Sequence, residues 1–285
     1  MTTTGDAIPA FGAAWTERKL DIIENYLNAY TTVMKRQAFR LLYIDAFAGT
    51  GAIHTTTLDP DGQAILRGSA ARAAAVTDRP FDEILLIEKD STYCRTLDEL
   101  RAKHRERNIR IVNDDANAAL RRLSYDWQGC RGVLFLDPFA TQVDWQTIEA
   151  IAATKALDTW ILFPVSAIRR LLPRRRTPDH VNPKWADCLS RVYGGSAWRD
   201  LYRPSPQLSL FGTSTPHSDP GVKGLLRVYR QQLQTLVGER LLSSSARLGP
   251  RKGPPLFELL FFAGNPRGIR ISHDIASYLV GTKQA

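Results

Sequence analysis

Four short aliphatic runs in this sequence each stop at an acid. "YIDAFAGTG" (43–51) stops at Asp45 and runs on through Phe47, Ala48, Gly49 and Gly51. "LLIEKD" stops at Glu88, with Lys89 next; "IVNDDAN" stops at Asp114 or Asp115, with Ala116 next; "LFLDPFA" stops at Asp137, with Pro138 and Phe139 next. A carboxylate at the edge of an apolar interior needs hydrogen-bond donors. Ligand hydroxyls and amino groups can supply them, but so can the free N–H groups that open a following helix, because an acid after a strand is an ordinary helix cap. The four acids become a binding constellation only if their strands lie side by side.

The intervening pattern predicts that they do. Leu20, Ile23, Leu27, Tyr30, Val33 and Met34 recur at helical spacing over 15–36, with Thr16 as N-cap. Aliphatic strands then alternate with helical stretches: 41–46 and 69–77 (N-cap Ser69), 83–88 and 91–104, 109–113 and 116–123, 132–137 and 144–153, and 159–165 followed by a short helix. Strand–helix pairs in series build a parallel sheet covered on both faces through right-handed crossovers. The expected fold is α/β, a doubly wound, mostly parallel Rossmann-like sheet. Four segments are expected: a helical lead-in (1–40), a cofactor-binding core (41–168), a basic and aromatic helical insertion with a mobile loop at "RPSPQLSLFGTSTPHSDPG" (169–221), and a closing helix and strand (222–285) that complete the sheet.

In such sheets ligands sit beyond the carboxyl ends of the strands. Glycines let a backbone approach a ligand closely, an acid at the second strand end accepts both hydroxyls of a ribose, and an acid at the third accepts from an adenine amino group. There is no GKS/T triphosphate loop, and "GTG" lacks the third glycine of a dinucleotide fingerprint. S-adenosylmethionine fits this pattern of ribose and adenine without phosphates. Asp45 and the Gly49–Gly51 backbone are expected at its amino-acid end, Glu88 at the ribose, and Asp115 or Asp114 at the adenine. Asp137-Pro138-Phe139 suits the acceptor: the proline stiffens the turn, Asp137 accepts from an NH2 group, and Phe139 offers a face to a base. The alternative for Phe139 is a core residue after a strand-end turn.

The chain of 285 residues is 44% hydrophobic, enough for a sizeable core, and carries a net charge of +9. That charge suits an anionic partner such as nucleic acid. Arg169, Arg170, Arg174, Arg175 and Arg176 could track phosphates, and Trp185, Tyr193 or Trp198 could stack on an unpaired base; a solvated helix end with core aromatics is the competing account. No apolar run is long enough to span a membrane and the first residues lack a signal-peptide layout, so a cytoplasmic protein is expected. Cys94, Cys130 and Cys188 are too scattered for a disulfide framework or a metal site, and no metal is expected.

"YIDAFAGTG", "LLIEKD", "NDDAN" and "FLDPFA", with Trp145, "ILFPVSAI" and "LFFAGNPRGIRISHDI", resemble the bacterial three-Cys-motif partner proteins over nearly the whole chain. The resemblance implies a fold similar to class I S-adenosylmethionine-dependent methyltransferases, cofactor contacts from Asp45, Gly49, Gly51, Glu88 and Asp115, and an acceptor site at Asp137 and Phe139. It also implies a companion similar to radical S-adenosylmethionine enzymes. Two departures stand out. Ala140 replaces the glycine usual in the family's DPFG turn, which would disfavour a backbone needing positive φ there, and "AIHTTTLDPDGQAILRG" (52–68) delays the helix after the glycine turn and could cover the site. The expected function is methyl transfer from S-adenosylmethionine to an exocyclic amine of a nucleobase in DNA or RNA. The alternative is a non-catalytic, nucleic-acid-binding partner of the three-Cys protein.

Overall fold

Seven strands form one sheet in the computed structural model, which describes residues 13–54, 65–172, 177–202, 221–250 and 252–282. They are β1 (Arg40–Asp45), β4 (Glu83–Glu88), β5 (Ile109–Asn113), β6 (Cys130–Leu136), β7 (Leu157–Phe163), β8 (Ala246–Leu248) and β9 (Phe257–Phe262), while β2 (Ala52–His54) and β3 (Ile65–Arg67) pair separately as an antiparallel ribbon. The order across the sheet is β5-β4-β1-β6-β7-β9-β8. Neighbours from β5 to β7 are parallel, and β9 enters antiparallel between β7 and β8. The chain leaves β1 toward β4 and β5 on one side and returns to β6 and β7 on the other. The crevice beside β1 is therefore the topological switch point, where open α/β sheets bind ligands.

The strands are short aliphatic runs because both faces are buried, as in parallel sheets generally. Period two divides each run between two cores. Leu41, Tyr43, Ile84, Leu86, Val133 and Phe135 face one core with α1 (Ala13–Met34), α2 (Ser69–Ala74), α3 (Ser91–Lys103) and α9 (Ile269–Gly281). Ile44, Leu85, Ile87, Leu134 and Leu136 face the other with α4 (Ala116–Arg121), α5 (Trp145–Thr154), α6 (Val165–Leu171), α7 (Pro183–Tyr193) and α8 (Gly221–Val237). Each fully buried aliphatic side chain contributes about 1.5–3 kcal/mol relative to exposure.

α1 is fixed tightly. Ile23, Tyr26, Leu27 and Tyr30 form its buried stripe, and Tyr26 meets Trp160 edge-on at 5.2 Å between ring centres. Arg72 of α2 pairs with Asp21 and, on the next turn, with Glu24. Thr16, expected as the N-cap, lies inside this helix, which already runs from Ala13. Ser69 is not a cap either: the N-cap of α2 is Gly68, and the Ser69 hydroxyl turns to Asp45.

Residues 177–202 fold as helical turns packed on the sheet's second core. Tyr193 and Trp198, two of the three residues considered for base stacking, are 0% and 1% exposed in the core; Tyr193 meets Phe163 and Tyr229, and Trp198 donates to Ser190 Oγ at 2.9 Å. Arg174, Arg175, Arg176 and the expected mobile loop lie outside the described residues. The delayed stretch 52–68 contributes the β2–β3 ribbon, and its middle also lies outside them. Among the described residues, no helix is long and apolar enough to cross a membrane.

Candidate active site

A cleft of about 1220 Å³ opens at the carboxyl ends of the parallel strands, and Glu88, Asp114, Asp115 and Asp137 all line it. The strands carrying them are neighbours across β1, so side chains far apart in sequence share one cavity.

Glu88 is the hinge between two tips. Its Oε2 accepts from Gly49 N–H at 2.8 Å and its Oε1 from Asp90 N–H at 2.8 Å. Gly49 and Gly51 have φ of +56° and +70°, a backbone that side chains disfavour. A Cβ on Gly49 would meet nothing within 4 Å, so this backbone faces open space; one on Gly51 would sit 3.0 Å from Leu97. Gly49 and Phe47 line the cleft, whereas Ala48 and Gly51 are buried behind it.

Asp45 also lies behind it. The alternation that turns Tyr43 toward the α2 side turns Asp45 the same way, and it is 0% exposed. Ser69 and Tyr43 hydroxyls donate to one carboxylate oxygen, and Phe47 N–H reaches the other at 3.4 Å. Burial pushes its carboxyl from the ordinary 3.8 to about 6, despite the lowering effect of the Ser69 hydrogen bond and with a further upward push from Asp137. Asp45 thus braces the glycine turn from beneath, whereas direct contact with a cofactor was expected.

Asp115 is a helix cap: one oxygen accepts from Asn117 N–H at 3.0 Å and Ala118 N–H at 3.1 Å. The same carboxylate also lines the cleft, which leaves its second oxygen for a ligand. Asp114 is engaged by Arg122 and by the Asp115 N–H. Lys89 is exposed at the rim and Ala116 is buried in the wall.

Asp137 closes the far side. By the alternation of Val133 and Phe135 it faces the α1 core, where Lys19 Nζ pairs with its Oδ2. Pro138 is buried, and Phe139 is 92% exposed, an unpacked ring on the cleft wall rather than a core residue. Phe139 N–H bonds Gln142 Oε1 at 2.8 Å. The turn does not need a left-handed residue at Ala140: among the described residues Lys155 is the one non-glycine with positive φ. The loop is then pinned by Asp144, held by Arg191 at 2.6 Å and Arg121 at 3.3 Å, and by Arg191 on Thr141 O at 3.1 Å.

Arg191 comes from α7, so this helix abuts the loop, although the described members of the expected nucleic-acid contact set do not line the cleft. Arg170 and Trp185 are exposed outside the cleft, and Arg169 also lies off its wall. Sequence reasoning missed Trp15 and Lys19, which reach the cleft from α1.

No family model matches the sequence, and no curated protein matches it. Solved structures do match. Protein LPL1258 of Legionella pneumophila str. Philadelphia 1, described by family model DUF519, is 11% identical with a TM-score of 0.50, over 92% of each chain. Trm1 of Pyrococcus horikoshii, solved with S-adenosyl-L-methionine, is 12% identical with a TM-score of 0.45, over 90% of this chain and 58% of its own. TYW2 of M. jannaschii, solved with AdoMet, is 8% identical with a TM-score of 0.38, over 88% of this chain and 75% of its own. The likeness to LPL1258 concerns the fold alone. What the cleft does has to be argued from its residues.

Proposed function

We propose that the chain is an S-adenosylmethionine-dependent methyltransferase acting on an exocyclic amine of a nucleobase in DNA or RNA. The observation that carries this reading is the convergence of Glu88, Asp115 and Asp137 on one cleft around the open Gly49 backbone. The volume, about 1220 Å³, exceeds the roughly 300–1,000 Å³ of ordinary ligand pockets and leaves room for cofactor and acceptor together.

The residues fit the cofactor. Glu88 would take the ribose hydroxyls on the lone pairs not used by Gly49 and Asp90; Asp115 would take the adenine amine on its uncapped oxygen; the amino-acid end would lie along Phe47 and Gly49. Bound there, S-adenosylmethionine supplies a methyl group whose carbon–sulfur bond breaks as a nitrogen–carbon bond forms. Asp137 accepts a hydrogen bond from the amine and turns the nitrogen lone pair into the cleft, and the proton that the alkylated nitrogen sheds passes to solvent. Phe139 stacks on the base.

Calorimetry with S-adenosylhomocysteine is the direct test. The reading requires binding, and it requires transfer of labelled methyl groups to nucleic acid that Asp137→Ala abolishes. Absence of binding would end it. The competing account, a non-catalytic partner of a three-Cys protein, gains no support from backbone strain at Ala140, whose φ is not positive. Co-purification with such a companion, with no methyl transfer to nucleic acid, is the result that would favour it.

A further inference from the structure

The structure places a helix face opposite Asp137 that the methyltransferase reading does not use. Trp15 and Lys19 are one turn apart on α1, so both side chains meet the same surface. Both line the cleft. Lys19 is only 9% exposed, and its ammonium lies on the Asp137 carboxylate and 5.9 Å from the centre of the Phe135 ring. Trp15 is partly buried and packs against the α1-side core. The face cannot swing freely, because Arg72, Tyr26 and the hydrogen bond from Arg18 to Arg247 O hold α1 to the body.

We propose that this face is the second wall of the acceptor site, with Lys19 as its specificity-determining residue: together with Phe139 it admits a neutral, unpaired nucleobase and excludes alkylammonium acceptors such as lysine side chains. The inference rests on the methyltransferase reading and narrows its substrate class. An isolated Asp137 would attract any cation. Lys19 neutralises it in a partly buried setting, where a second ammonium would face like-charge repulsion with little solvent screening. A neutral aromatic amine meets no such barrier, since it can still donate a hydrogen bond to the carboxylate. A base also finds two aromatic surfaces, Trp15 and the exposed Phe139, and stacking on such rings needs the base out of its own helix. A lysine acceptor would use neither ring.

The test measures binding and acceptor choice on the full chain. Affinity for a fluorescein-labelled single-stranded oligonucleotide is read by anisotropy with saturating S-adenosylhomocysteine, for wild type, Phe139→Ala, Trp15→Leu, Lys19→Met and Lys19→Arg. Phe139→Ala and Trp15→Leu should each weaken binding at least fivefold, and Lys19→Arg should stay within about twofold. S-adenosylhomocysteine affinity by calorimetry should stay within about twofold in every variant; wild type should pass labelled methyl groups to polynucleotide but not to poly-lysine, and Lys19→Met should begin to methylate poly-lysine. Phe139 is exposed, so its variant tests the site even if Trp15→Leu unfolds. The inference is overturned if Phe139→Ala binds like wild type while S-adenosylhomocysteine still binds, if wild type methylates poly-lysine, or if Lys19→Met, still binding S-adenosylhomocysteine, excludes poly-lysine as wild type does. If wild type binds no S-adenosylhomocysteine, the methyltransferase reading itself fails and this inference falls with it.

Discussion

Glu88 accepts Gly49 N–H on one carboxylate oxygen at 2.8 Å and Asp90 N–H on the other at 2.8 Å, which locks the end of β4 to the glycine turn after β1. Both oxygens act as acceptors, so glutamine is a poor substitute: its NH2 would face one of the two N–H donors. Glu88→Gln should therefore resemble Glu88→Ala. Both should lose at least about tenfold in S-adenosylhomocysteine affinity by calorimetry, and about 1–3 kcal/mol of stability for the donor left without an acceptor. A Glu88→Gln protein that binds and melts like wild type would refute this account of the turn.

Asp45 gives a pH signature. Its carboxyl is raised from 3.8 to about 6 in the fold, so between those values the folded chain holds a proton that the unfolded chain has released. The contribution to stability is complete below the unfolded value and is lost as pH rises through the folded one, by on the order of 3 kcal/mol. Asn keeps the shape without the charge, and the Ser69 and Tyr43 hydroxyls can rotate to accept from its NH2. Asp45→Asn should be at least as stable as wild type at pH 8, with the gap closing or reversing toward pH 4. Thermal melts of both proteins across that range decide it, and parallel profiles would contradict the buried-charge argument.

Most of the sheet was legible because burial on both faces writes each parallel strand as a continuous aliphatic run. The expected 83–88 and 109–113 coincide with β4 and β5, and 132–137 differs from β6 by one or two residues at either end. β8 escaped notice because three residues at a sheet edge, with Arg247 exposed between buried Ala246 and Leu248, carry too little pattern. The candidate acids are legible as strand tips, while the face each takes follows from the register of its strand. Period two, applied to Tyr43 and Phe135, would have shown Asp45 turning under α2 and Asp137 turning toward α1. Lys19 was out of reach: nothing local marks a lysine on an amphipathic helix as the partner of a carboxylate 118 residues away.

The opposite end of β7 makes a stability prediction. Asp158 at the start of β7 is 4% exposed and accepts from Tyr26 OH at 2.6 Å, Gly264 N–H at 2.7 Å and Ser272 Oγ at 3.0 Å. Burial raises its carboxyl, and these donors are what let it reside there. Tyr26→Phe removes one donor and leaves the ring contacts with Trp160 and Phe261 in place. Urea unfolding should show a loss of about 1–3 kcal/mol with an unchanged m-value. A neutral result would mean that water takes over the hydroxyl's role.

The basic cluster tests the nucleic-acid reading apart from the chemistry. Arg169 and Arg170 close α6, and Arg174, Arg175 and Arg176 follow within six residues of Arg170. If these side chains track phosphates, they contribute affinity without choosing a sequence. The variant Arg174→Ala/Arg175→Ala/Arg176→Ala should then weaken binding equally for unrelated oligonucleotides, and the slope of log K against log salt should shrink by about 2–3. Affinity for S-adenosylhomocysteine should not move, because the proposed cofactor residues Glu88, Gly49 and Asp115 lie on other strand ends. Titrations at three or more salt concentrations separate the outcomes. An unchanged slope removes the cluster from the interface, and a loss confined to one sequence would mean that these arginines read bases instead of backbone.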